Sequence, residues 1–391
     1  MKLLIGITMK IAIVKRTFLK EGGGGAEKYV RNIVEGLIKR GHTITVISEK
    51  FESEQTTKLT HIKPNSPKRI YSSGTTKFQS EVKSTLNKIR NNFDILYSLS
   101  KIYPSDIYRA TDQVHIEWLM LNKSKLVKFN PRHRGILNIE KNIYKKENTK
   151  AVVTNSNLVK NLILKYYNFN ADDIHVLRNG IENKIFFPVS SSTDKQTLRE
   201  KLFSNFYAKK TIFLFAGSNF EIKGLKEAIA SFAQLPSEFI NNSLLYVAGG
   251  DNSEPYIKQA EKLGIASKII FLGEKRNMRD YYAASDMLLF PSLGEPFGNV
   301  CLESFACGTP VITTEQNGSC EIITEGVNGY VIDSAKSLMK MSEKLASFIQ
   351  LSKELKESFS NKAVEASKSY SWELHVDELE KLMQKTSCKF N

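Results

Sequence analysis

The chain has 391 residues, 41% hydrophobic and 25% charged, with 56 Lys/Arg against 41 Asp/Glu for a net charge of +15. That length allows two domains of ordinary size, the composition is that of a globular protein, and no apolar run approaches the roughly 18 residues of a membrane-spanning helix. The charge suits an anionic partner such as nucleotide, nucleic acid or an acidic membrane face, but no nucleic-acid-binding motif accompanies it.

Lys10, Lys15 and Arg16 interrupt the apolar run a signal peptide would need, and no small-residue cleavage site follows. The first eight residues therefore read as an upstream start, with the first strand at Met9–Val14. The run Gly22–Gly25 comes next, then an amphipathic helix over Ala26–Arg40 with Val30, Ile33, Val34, Leu37 and Ile38 at helical spacing. Gly41 ends it, and Thr43–Ser48 is the next strand. Such a βαβ unit implies a parallel sheet with a right-handed crossover. Further strands are expected at Ile95–Leu99, Ala151–Asn155 and His175–Leu177. Residues 121–150 hold nine Lys/Arg against Glu140 and Glu147, with Ile136, Ile139 and Ile143 at helical spacing. That pattern fits either an amphipathic helix on an anionic membrane or a solvated charged face.

Residues 184–210, polar and partly serine-rich, read as a domain junction. The pattern then repeats. Strands are expected at Thr211–Ala216, Leu244–Ala248, Ile269–Leu272, Met287–Phe290, Val311–Thr313 and Gly329–Val331. Helices fall between them at 224–234, 254–263, 278–284, 299–307 and 336–350, and a last helix begins at Trp372. The expected fold class is α/β, with two doubly wound parallel-sheet domains over 9–186 and 187–369 and a C-terminal helix, 370–391, packing back on the first.

The most informative stretch is Gly294-Glu295-Pro296-Phe297-Gly298-Asn299-Val300-Cys301-Leu302-Glu303. Its strand–loop–helix context places ligands at the carboxyl end of a parallel sheet, and its helix start offers free N–H groups to a phosphate. Two carboxylates eight positions apart can hold a sugar and a ribose; the plainer alternative is an acidic residue complementing a helix dipole. Lys223, between a strand and a helix, can hold a diphosphate as a point charge or be an ordinary solvated lysine. The polar cluster Arg109–His115 can position a hydroxyl and relay its proton, or Thr111 and Asp112 can cap a helix. Cys301, Cys307, Cys320 and Cys388 have neither C-x-x-C nor metal-ligand spacing, which reads as reduced thiols in a cytosol. No two aspartates are separated by one position, so an Asp-x-Asp metal clamp is missing and activity without a divalent cation is expected.

These motifs resemble the retaining GT-B glycosyltransferases with the Glu-x7-Glu signature, over most of residues 211–335. The resemblance implies two facing Rossmann-like domains, no cofactor, and a UDP-sugar substrate. It puts the donor hexose on Glu295 and the ribose on Glu303. The backbone amides of Asn299-Val300-Cys301-Leu302 would meet the diphosphate or sugar, with Phe297 and Gly298 before them also binding the donor, and Lys223 would stabilise the leaving diphosphate. An arginine common in that family falls at Gly217, where Lys226 or Arg178 would have to substitute. Asn179 and Gly180 match an interdomain motif near the donor, Gly249 and Gly250 a turn near the nucleotide, and Arg276 a loop that cradles the base. Gly24 and Gly25 match a loop over the donor phosphates. Within the family the chain is most similar to lipopolysaccharide-core glucosyltransferases, which implies Asp112 as an active-site residue, His115 as a second, a saccharide or glycolipid acceptor, and a membrane-contacting segment near 121–150. The expected protein is cytoplasmic and peripheral to the inner membrane face. A UDP-sugar epimerase of the same architecture and a non-catalytic nucleotide-sugar-binding protein are the alternatives.

Overall fold

A computed structural model describes residues 8–65, 74–110, 112–121 and 130–387. Residues 1–7, 122–129 of the basic segment, Thr111 and Cys388 lie outside the described residues. The chain divides into two compact units, residues 1–180 with 372–391, and 181–371.

Among the described residues, the first unit holds a seven-stranded parallel sheet. Its order from one edge is β5 (Leu59–Ile62), β3 (Thr43–Ile47), β1 (Lys10–Val14), β6 (Ile95–Ser98), β7 (Ser105–Ala110), β8 (Thr149–Thr154) and β9 (Ile174–Val176). Helices cover both faces of such a sheet, so its strands are apolar throughout rather than alternating: Ile11, Ala12, Ile13 and Val14 are all 0% exposed. Two-residue strands β2 (Thr17–Phe18) and β4 (Lys50–Phe51) pair beside it. The glycine run opens α1 (Gly25–Lys39), and Glu27 turns back to accept from the Gly24 N–H at 3.1 Å.

The C-terminal helix α15 (Trp372–Thr386) belongs to this first unit. Val376, Leu379, Leu382 and Met383 enter the core built by β1, β3 and α1, each worth about 1.5–3 kcal/mol of burial. Contact is close enough that a Cβ on Gly36 of α1 would stand 2.7 Å from Val376 Cγ2. Glu380 receives both His42 Nε2 (2.9 Å) and the Arg40 guanidinium (3.3 Å).

Among the described residues, the second unit holds a six-stranded parallel sheet. The order is β12 (Ile269–Gly273), β11 (Ser243–Ala248), β10 (Thr211–Ala216), β13 (Met287–Phe290), β14 (Val311–Thr314) and β15 (Gly329–Ile332). Both sheets run outward from the strand that opens them and then reverse. The reversal lies between β1 and β6 in the first unit and between β10 and β13 in the second, and such a switch point is where open α/β sheets receive ligands.

Strands β5 and β7 were not expected from the sequence, and three further features depart from that reading. The chain passes between units at Gly180–Ile181, because Ile181 and Phe186 are already buried in the second core. The serine-rich stretch expected as a junction forms α6 (Ser192–Tyr207), whose start is capped by Ser191 Oγ accepting from the Asp194 N–H at 3.1 Å. The basic segment does form a helix, α4 (Pro131–Ile143), but its apolar side faces inward. Ile139 and Ile143 are 4% and 0% exposed and pack against Tyr108, Val114 and Val152. The described part of 121–150 therefore offers an anionic surface only charges, through exposed Arg132, Arg134, Lys141, Lys145 and Lys146. No helix among the described residues is long and apolar enough to cross a membrane.

Candidate functional site

In the second unit the two strands flanking the switch point each deliver one charged group. After β10 the chain turns through Gly217, Ser218 and Asn219 into a single helical turn, α7 (Phe220–Lys223). Asn219 adopts the left-handed conformation (φ +61°), and the Asp251 carboxylate caps the turn by accepting from the Phe220 N–H at 2.7 Å. Gly224 closes it at φ +78° and starts α8 (Leu225–Phe232). A Cβ there would lie 2.0 Å from the Pro291 carbonyl oxygen, so glycine is obligatory. This contact locks the loop after β10 against the loop after β13.

That second loop carries Glu295. Its backbone is fixed on both sides, the Glu295 N–H donating to Gln316 O and its carbonyl accepting from Gly318 N–H, each at 2.9 Å. Gly298 (φ +68°) begins α12 (Asn299–Ala306), where a side chain would meet Asn317 at 2.7 Å. Asn317 is wholly buried, donates to Thr313 Oγ1 at 2.9 Å and accepts from the Ser319 N–H at 3.1 Å. Neither Asn317 nor Asp251 stood out in the sequence. Each acts by bracing a neighbouring loop, which residue spacing does not encode, although the turn-forming run Gln316-Asn317-Gly318 was a signal.

The outcome is direct contact between Lys223 Nζ and Glu295 Oε2. Their side chains are only 20% and 19% exposed. Burial pulls the Lys223 ammonium down to about 8, and the adjoining carboxylate works the other way by favouring the charged amine. Glu303, about one turn into α12, accepts a hydrogen bond from the buried Tyr282 hydroxyl at 3.0 Å. Tyr282 also went unnoticed in the sequence, where its place in an amphipathic helix reads as simple core.

The other predicted positions in this unit divide by exposure. Asn299 and Val300 are half-buried at the start of α12, and Arg276 is exposed in the turn after β12. Phe297 is 1% exposed and part of the second core, so its ring packs and only its backbone is left to meet a ligand. Gly217 sits at φ +142°, which an arginine would adopt only with strain, and a Cβ there would stand 3.7 Å from Lys223 Cγ. A Cβ on Gly249 would lie 2.2 Å from the Gly217 carbonyl oxygen, so the turns after β10 and β11 touch backbone to backbone. The exposed Lys226 lies one turn beyond α7, and Arg178 belongs to the first unit.

In the first unit, Gly24 and Gly25 are exposed at the start of α1, and the loop before them is held by Arg31 Nη1 donating to the Gly22 carbonyl at 2.9 Å. Asp112 is exposed in the bend before α3 (His115–Leu121). His115 is 8% exposed. Its ring meets His133 (Nε2 to Nδ1, 2.9 Å) and stacks on Trp118, while the backbone N–H of His115 donates to the buried Glu140 carboxylate at 2.8 Å. Burial first, then the Lys101 charge, lowers His115 to about 4, so it is a neutral ring at pH 7. Asn179 is 8% exposed and accepts from the guanidinium of Arg109 at 2.5 Å. Arg109, 1% exposed, lies 3.6 Å over the Tyr29 ring.

Residues 194–366 match the family model described as glycosyl transferases group 1, and residues 23–184 match glycosyltransferase family 4. The chain is 24% identical over 323 residues to the lipopolysaccharide glucosyltransferase WaaG of Escherichia coli (strain K12), covering 82% of this chain and 85% of that one. It is 31% identical over 180 residues to the D-inositol 3-phosphate glycosyltransferase of Xylanimonas cellulosilytica, covering 44% of this chain and 42% of that protein. Among solved structures it superposes on WaaG with a TM-score of 0.76 at 22% identity, covering 95% and 99% of the two chains. With HepE of Anabaena in complex with UDP and glucose the TM-score is 0.70 at 17% identity, covering 96% and 99%. At such identities the structural matches speak for the fold.

Proposed function

We propose, from the premise that the chain belongs to the group 1 glycosyltransferases of GT-B architecture, that it moves a hexose, glucose first, from a UDP-sugar to a saccharide acceptor of lipopolysaccharide-core or cell-surface polysaccharide synthesis. The observation behind this reading is the contact of Lys223 with Glu295 at the switch point of the second sheet. A cation and a carboxylate held side by side are complementary to the two ends of an activated sugar. The ammonium pairs with the diphosphate and the carboxylate accepts from hexose hydroxyls. The contact then acts as a placeholder that the donor's own charges and hydroxyls replace. Structures of HepE with UDP and with UDP-glucose support the choice of nucleotide.

The bond from the anomeric carbon to the diphosphate oxygen breaks, and a bond to the acceptor oxygen forms on the same face. The departing phosphate takes the acceptor proton. Configuration is thereby retained without a protein nucleophile, and the protein contributes orientation and charge stabilisation. Lys223, with no Asp-x-Asp clamp in the sequence, carries the leaving group's charge, so turnover is expected to persist in a chelator. Asp112 orients the acceptor hydroxyl and His115, neutral, supports it. Exposed basic groups on α4 add a salt-sensitive attraction to an anionic membrane face.

The test is radiolabelled hexose transfer from a panel of nucleoside diphosphate sugars to lipopolysaccharide-core acceptors, with and without chelator. UDP-glucose should give the fastest transfer, with the anomeric configuration kept. Release of an altered free sugar without an acceptor would favour an epimerase instead.

A further inference from the structure

Tyr282 lies in α11 (Met278–Ala284), 0% exposed, and is tied to the α12 region at both ends. Its hydroxyl donates to Glu303 Oε2 at 3.0 Å. Its carbonyl accepts from Thr309 Oγ1 at 2.6 Å, just beyond the end of α12. Burial, and then the Glu303 carboxylate, raise its phenol well above the ordinary range, so it stays a neutral donor. A glutamate on a helix has many rotamers, and a fixed donor on one oxygen selects among them before any ligand arrives. Preorganisation of that kind lowers the ordering cost of binding.

The geometry points to Tyr282 as a positioning residue that presents the Glu303 carboxylate to the ribose hydroxyls of the donor nucleotide, and thereby sets the preference for ribonucleotide over deoxyribonucleotide. This rests on Glu303 being the ribose acceptor of the reading above. Tyr282 itself, wholly buried, does not meet the ligand. Its removal is felt only by a ligand that uses Glu303.

Calorimetric titration of the full chain with UDP and with 2′,3′-dideoxy-UDP separates the two ideas. The wild type should prefer UDP by about a hundredfold, the worth of charge-assisted hydrogen bonds to the two hydroxyls. Y282F should narrow that preference about tenfold by weakening UDP, with affinity for the dideoxy probe nearly unmoved. In an E303A background Y282F should narrow it no further. Y282F keeping the wild-type ratio, or weakening both probes equally, overturns the positioning role alone. A wild type without ribose preference, or E303A retaining it, removes the Glu303 reading and this inference with it. Should Y282F melt early, T309V, which frees the other end of Tyr282, is read in its place: a narrowed ratio supports the role and an unchanged one overturns it.

Discussion

Lys223 is a cation whose hold on its proton is weakened by burial, to about 8. A lysine lowered in this way is charged below that pH and neutral above it. Donor capture, read as kcat/KM, should accordingly fall on the alkaline side, at or above about 8 because the touching Glu295 carboxylate favours the charged amine, since that ratio reports the free enzyme. K223R, whose guanidinium keeps its charge, should move the alkaline limb upward even if its rate is lower. A flat wild-type profile to pH 10 would contradict the assignment. K223A and E295Q should each cost about 10²–10³ in turnover, the usual worth of a preorganised charge at a reacting centre, with thermal midpoints close to wild type. The residues behind these effects were readable in the sequence because each lies in a Gly-bounded loop between a strand and a helix, Lys223 before Gly224 and Glu295 between Gly294 and Gly298. Those bracing them, Asn317, Asp251 and Tyr282, were not. Their work is done across loops distant in the chain, by hydrogen bonds from Phe220 to Asp251 and from Tyr282 to Glu303 and by the packing of Asn317 against Gly298.

At the scale of elements, glycine placement decides the loops. Gly224 faces the Pro291 carbonyl at φ +78°, so G224A should destabilise the second unit by about 2–4 kcal/mol, seen as an earlier thermal transition. Little change would mean the two loops are not locked together. G36A would push α1 from α15, where Val376 stands 2.7 Å from the added carbon, with a cost of about 1–3 kcal/mol. Strands were the most legible elements. A short apolar run bounded by turn signals, such as Met287–Phe290, fits an interior parallel strand, whereas interior β7, carrying Asp106 and Arg109, does not read as one. Helices were less legible where capping outweighed composition: α6 follows a serine run, and α14 (Lys353–Ser367) is polar enough that only the Ser352 cap, accepting from the Leu355 N–H at 3.3 Å, marks its start. Isoleucine spacing in α4 correctly gave the helix but not its partner, because periodicity identifies an apolar face without saying what covers it. Protein core covers it here.

At the scale of the whole molecule, two sheets of the same winding come from one repeated sequence logic, and the family models match both halves. The C-terminal helix seals the first core, so truncation after Ser371 should leave that unit unfolded or aggregated. The net charge of +15 and the exposed basic side of α4 predict binding to anionic vesicles that is lost by about 0.5 M salt, where screening shortens to a few ångströms. Binding that survives such salt would require apolar insertion. The account turns on the switch-point pair as the seat of an activated sugar, and a thermal-shift titration with UDP and UDP-glucose tests this most directly. At 100 times its Kd a ligand adds about 2.7 kcal/mol to the folded state. Both ligands should raise the wild-type midpoint, K223A should lose most of either shift, and E295Q should keep the UDP shift while losing the increment that glucose adds. Wild-type protein indifferent to every nucleoside diphosphate sugar, or variants that respond as it does, would contradict the account.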